Sequence, residues 1–101
     1  MIKSELITAI AKKQIHLNAH DIERAINCII AAMTNELASG GRVEIRGFGS
    51  FSLRYRKPRM ARNPRTNEAV SVAEKYTLHF KPGLELSSRV RASANDYQIV
   101  E

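Results

Sequence analysis

Apolar residues along the first forty positions recur every three or four residues, the spacing that lines one side of an α-helix. In SELITAIAKK (residues 4–13), Leu6, Ile7, Ile10 and Ala11 share a face, and Lys12 and Lys13 suit the negative end of the helix dipole. IHLN breaks the pattern. Asn18 is placed to cap a second helix, with Asp21 three residues on as a weak capping-box partner. On that helix Ile22, Ile26, Ile29, Ile30, Met33 and Leu37 form a wide apolar stripe with Ala25 and Ala32 beside it. Ser39-Gly40-Gly41 then stops it, because glycine accepts the left-handed cap conformation.

After Gly41 the period falls to two. Val43 and Ile45 point one way, and Arg42, Glu44 and Arg46 the other. Gly47-Phe48-Gly49 is a turn signal, and a second strand follows with Phe51, Leu53 and Tyr55 inward. Tyr76, Leu78 and Phe80 repeat the alternation in a third strand. KPG (residues 81–83) ends it, and Leu84, Leu86 and Val90 fit a short helix with Arg89 and Arg91 on its other side. The predicted fold class is α+β: two N-terminal helices, a three-stranded antiparallel sheet covered on one face, and a short C-terminal helix. Residues 1–101 read as one domain, with a tail over about residues 92–101 that lacks a clear period and is expected to be loose. Three short strands cannot cover the stripe on the second helix, so dimerisation is expected to bury the remainder.

Between the second and third strands lies RYRKPRMARNPRTN (residues 54–67), with six Arg or Lys in its first twelve positions and no acid. Such a segment cannot bury itself. RYRK continues one strand outward, EAVSVAEKY returns with Val70 and Val72 in alternation, and NPRTN between them has strong turn chemistry. The expected result is a long protruding β-hairpin arm over about residues 55–74, tipped by Pro64. Arg54, Arg56, Lys57, Arg59, Arg62 and Arg65 would repel one another along it unless a counter-charge is supplied. A nucleic-acid backbone supplies one, and a β-ribbon is slim enough for a groove. Pro64 has no N–H, so its compact ring can wedge between bases without burying an unsatisfied donor.

Composition sharpens this picture. The net charge is +6 overall, but residues 1–53 carry only +1 and residues 54–101 carry +5. The base is a local feature, which points to an acidic polymer. The single cysteine, Cys28, excludes an internal disulfide framework and reads as a small buried helix residue. No apolar run approaches the ~20 residues that span a bilayer, and the N-terminus does not read as a signal peptide, so a cytoplasmic location is expected. No membrane partner, metal or cofactor is expected. His16 and His20 straddle the cap at Asn18 and do not share a helical face, and His79 faces away from Leu78 and Phe80. No Ser/His/Asp set, carboxylate cluster or phosphate loop is visible, which argues against an enzyme. An RNA reader would show more aromatics for stacking than Tyr55 at the arm's base.

RGFGSF, RNP and later HFKPG, taken together, resemble the bacterial histone-like DNA-bending family of HU and integration host factor, over about residues 3–91. SEL and EIRGFGSFSLRYR are most similar to the beta-type chains of integration host factor. The resemblance implies an intertwined dimer, two arms in the minor groove of double-stranded DNA, and intercalation by Pro64. The partner it implies is an integration host factor alpha-type subunit, with an HU-like, nonspecific homodimer as the alternative. It also implies a place on the bacterial nucleoid and support of recombination, replication and transcription control. Arg46, Asn63, Lys75 and Lys81 complete the expected set of DNA-contacting residues. Family members commonly carry Gly where Ala61 and Asn67 stand; Asn67 can still take a positive φ, and Ala61 stiffens the arm slightly.

Glu44 needs a reason to face a phosphate backbone. On spacing alone it reads as half of a solvated ion pair worth ~0–1 kcal/mol. The resemblance favours a second reading, in which Glu44 fixes the rotamer of Arg42 or Arg46 and so supports a readout of narrow minor grooves.

Overall fold

The computed structural model describes residues 1–98. Helix α1 (Lys3–Lys13) leads into helix α2 (Ala19–Ala38), followed by strands β1 (Val43–Ile45), β2 (Gly49–Arg56), β3 (Arg59–Arg62), β4 (Ala69–Val72) and β5 (Lys75–Pro82), and helix α3 (Leu84–Ala92). The Asn18 side chain accepts the Asp21 N–H at 2.8 Å, so the second helix starts at the cap its sequence predicts. It ends in a Schellman motif. Gly40 adopts φ +88°, its N–H reaches the Leu37 carbonyl, and the Gly41 N–H reaches that of Glu36.

One antiparallel sheet has the order β1-β2-β5, and a separate two-stranded ribbon pairs β3 with β4. The two glycines of GFG serve different ends. Gly47 takes φ +84° in the β1–β2 turn, closed by the Phe48 N–H on the Ile45 carbonyl. Gly49 is buried where a Cβ would stand 2.7 Å from the Lys81 carbonyl oxygen and 2.7 Å from the Phe80 ring. Its lack of a side chain admits Phe80, whose ring lies 4.7 Å from Phe51 and 5.5 Å from Phe48.

The core is thin. Only Ile22 and Ile26 are buried hydrophobic residues among those described. Ile29 lies on the same helical stripe yet is 58% exposed, and Leu78 on the apolar side of β5 is 59% exposed. The chain presents 9034 Å² to solvent, against about 5,700 Å² for a compact monomer of its mass. Its radius of gyration is 19.1 Å, where about 13 Å is usual for this length. The projecting ribbon and uncovered apolar stripe account for the excess.

Three expectations need correction or qualification. Cys28 is exposed, because six residues past Ile22 it lies about 240° around the helix from the buried stripe. The arm is not one continuous extension of the sheet. Both strands break at its root, at Lys57-Pro58 and Ala73-Glu74, because a proline offers no N–H to a ladder. The tail prediction falls partly on residues 99–101, outside the described residues; backbone bonds carry a turn on from α3 through Asp96.

Gly49→Ala is expected to destabilise the folded state by at least ~2 kcal/mol, since a backbone carbonyl blocks the new methyl group. A lowered urea midpoint at fixed protein concentration checks this.

Candidate nucleic-acid interface

The register of the sheet sorts its side chains by chemistry. Phe51↔Phe80, Leu53↔Leu78 and Tyr55↔Tyr76 are direct cross-strand pairs, so all six point to one side. The intervening pairs, Ser50↔Lys81, Ser52↔His79, Arg54↔Thr77 and Arg56↔Lys75, point to the other. Glu44 pairs with Ser50, which adds Glu44 and, two residues back, Arg42 to that second side. One face is therefore apolar. The other gathers Arg42, Arg54, Arg56, Lys75 and Lys81 against the single carboxylate of Glu44.

Glu44 is not free to oppose a phosphate. Its Oε2 accepts from Arg42 Nη2 at 3.2 Å, in an ion pair whose side chains are both more than half exposed. Arg46, placed on the strand face by sequence alternation, lies instead in the turn after β1, because Gly47 already bends the chain there. It makes no ion pair among the described residues. Of the two arginines considered for Glu44, the structure pairs Arg42.

A contact that alternation only brought near involves His79. Arg54 Nη2 lies 3.0 Å from His79 Nε2. A guanidinium has no acceptor, so in this contact Arg54 donates and His79 Nε2 accepts. Arg54 is thereby held across the face of the sheet. The signal in the sequence was the diagonal relation between the two strands, visible only once the register is known.

The arm distributes its cations differently. Arg59↔Val72 and Ala61↔Val70 face one way, and Met60↔Ser71 and Arg62↔Ala69 the other, so Arg59 and Arg62 lie on opposite faces. Lys57 stands in the break, in a groove also lined by Arg56, Arg59 and Lys75. At the tip, Asn63 Oδ1 accepts the Arg65 N–H at 2.9 Å, and the Asn63 carbonyl accepts the Asn67 N–H at 2.7 Å. Arg62 Nη1 donates to the Asn67 carbonyl at 3.1 Å. Asn63 and Arg62, both expected to contact DNA, thus also build the turn that leaves Pro64 exposed at the apex. Asn67 takes φ 59°, the left-handed conformation its sequence position anticipates.

At the root, Tyr55 Oη donates to Glu74 Oε2 at 2.6 Å, a contact the sequence reading did not find. The carboxylate, and secondarily desolvation, holds the Tyr55 phenol above its usual pKa of 10.0.

A thin α+β body with one basic sheet face and a jointed basic ribbon has the charge layout of a nucleic-acid-binding protein. Residues 1–91 match the family of bacterial DNA-binding proteins. The chain is 54% identical to integration host factor subunit beta of Alkalilimnicola ehrlichii, over 95% of this chain and 96% of that one. It is 56% identical to integration host factor subunit beta of Halorhodospira halophila, over 92% and 91% of the respective chains. In three dimensions it resembles a chain of the Anabaena HU–DNA cocrystal structure, with a TM-score of 0.81 and 31% identity, covering 89% of this chain and 97% of that one. The chain belongs to the HU and integration host factor family of architectural DNA-binding proteins, which are not enzymes.

Asn67→Ala is expected to loosen the tip by about 1 kcal/mol, because alanine tolerates a left-handed φ less well. Exchange of the Asn63 and Asn67 amides should speed up about fivefold, while Asn67→Gly stays within about twofold.

Proposed function

We propose that this protein binds duplex DNA as a dimer, lays its arms along the minor groove and bends the duplex by inserting Pro64 between base pairs. The observation that carries this reading is the one-sided basic face of β2 and β5 leading into an arm with an exposed proline at its apex. Arg42, Arg54, Arg56, Lys75 and Lys81 line the body's side of the path. Arg46 and Lys57 flank it, and Arg59, Arg62, Asn63 and Arg65 continue it along the arm. Unstacking one step costs a few kcal/mol, offset when the bent duplex reaches more of this surface. The uncovered stripe at Ile29 and Ile30 supports dimerisation. The integration host factor beta relatives favour an alpha-type chain as the partner subunit, over a homodimer. Site preference is assigned to Glu44, which holds Arg42 in place beside Arg46. No helix among the described residues is long and apolar enough to cross a membrane, and we place the protein on the bacterial nucleoid, supporting recombination, replication and transcription control.

A dimer engaging about 8–12 phosphates gives log K a slope of about −7 to −11 against log salt. Arg65→Ala should weaken binding to all sequences and flatten that slope. Pro64→Ala should reduce the bend angle, read by end-to-end energy transfer, more than it reduces nonspecific affinity. Equal losses would reduce Pro64 to a turn residue. Glu44→Ala should lower the ratio of cognate to scrambled-site affinity, and an unchanged ratio removes its role. Bending assays with this chain alone and then with an alpha-type chain decide the partner: tight, site-specific bending only in the mixture identifies the heterodimer.

A further inference from the structure

The joint at the root of the arm holds a contact that no DNA-facing residue explains. The β2–β5 ladder stops at Arg56↔Lys75 and the β3–β4 ladder starts at Arg59↔Val72. Two residues on each strand, Lys57-Pro58 and Ala73-Glu74, therefore join the ribbons without ladder pairs. Such a joint swings unless something else holds it. Tyr55, on the body, donates to Glu74, in the joint, at 2.6 Å, within the short range of a hydroxyl on a carboxylate. The Tyr55 ring rests 5.5 Å from that of Tyr76 at 56°, which limits where its hydroxyl can point.

The choice of partner is informative. Arg56, Lys57, Arg59 and Lys75 surround Glu74 in sequence or across the joint. Yet Glu74 makes no ion pair with any of them among the described residues. Tyr55 and Tyr76 share the side opposite Arg54, Arg56 and Lys75, and the bond to Tyr55 draws the Glu74 carboxylate to that side. The carboxylate is thus bonded on the side that the basic face leaves free.

We infer that the Tyr55–Glu74 bond is a brace that fixes the inclination of the arm to the body, with Glu74 a positioning residue held away from the phosphate-facing side. The inference deepens the arm-wrapping reading above and rests on it. A braced arm is ordered before DNA arrives, so less freedom is lost on binding. The raised phenol of Tyr55 agrees with the geometry. Because the folded-state value is raised, the contribution of the bond is complete below pH ~10 and disappears as pH climbs through that higher value.

The test uses the assembled dimer. Residual dipolar couplings, measured without DNA, compare residues 59–72 with β2 and β5. Tyr55→Phe and Glu74→Ala should shrink the arm's couplings relative to the body's. Glu74→Gln, which keeps an acceptor but not the charge, should restore most of them. On duplex DNA, Tyr55→Phe and Glu74→Ala should weaken binding about three- to tenfold with an unchanged salt slope, since no phosphate contact is lost. Electrostatics alone gives Glu74→Ala the opposite sign, because an anion leaves a DNA-binding surface. In Glu74→Ala the titration of the Tyr55 ring, followed by carbon NMR, should shift to lower pH. Unchanged couplings in both variants overturn the brace whatever DNA does, and looser arms with unaltered affinity overturn its part in binding. A wild-type protein that fails to bend DNA sinks the arm-wrapping reading instead, while the couplings still decide the brace.

Discussion

Side chains in a strand alternate between faces, so the eight cross-strand pairs of β2 and β5 determine what each side of the sheet can do. With Phe51 opposite Phe80, every second pair is apolar and every intervening pair is polar or basic. A slip of one residue would exchange the faces, sending Arg54 and Arg56 toward the helices and Phe51 and Leu53 toward solvent. Gly49 guards against that slip. The Phe80 ring fills the place where a side chain would stand, so only a glycine fits at that end of the register. The basic face, the apolar face and the root of the arm are all consequences of this one ladder.

The ladder leaves the single chain with two deficits, one on each side. The apolar side extends past the helices, with Leu78 and Tyr76 largely exposed, and Ile29 and Ile30 of α2 are uncovered as well. The basic side has one carboxylate among five cations, and that carboxylate is already paired to Arg42. A second subunit answers the first deficit and a polyanion the second. In the proposed complex neither partner competes with the other, because they meet opposite faces of the same two strands.

Much of this was legible in the sequence because it depends on short-range rules. The Asn18 cap, the Gly40 stop, the alternating strands and the left-handed Asn67 follow from local chemistry, and each has a direct counterpart in the fold. The mismatches have a common origin. Cys28 was assigned by the apolar letters around it, although its angle on the helix places it outside the buried stripe. Arg46 was carried on by alternation, although Gly47 ends the strand one residue earlier. The Arg54–His79 and Tyr55–Glu74 contacts join residues 25 and 19 positions apart, and no local rule pairs residues at such separations. They needed the register, which the sequence constrains only through the faces it must keep.

The break at the root gives the arm a property that a continuous ribbon would lack. A continuation of β2 and β5 would inherit their twist and direction, and the arm would leave the body along the line of the sheet. With Pro58 interrupting one strand and Ala73-Glu74 the other, β3 and β4 form a ladder of their own, in which Arg59 and Arg62, three residues apart, take opposite faces. An arm lying inside a groove has walls on both sides, and cations on both faces suit that setting better than a one-sided stripe. The body needs a one-sided surface because it meets the duplex from outside. The three-residue spacing of Arg59 and Arg62 puts cations on both faces of the arm, and the joint frees that ribbon from the direction of the sheet.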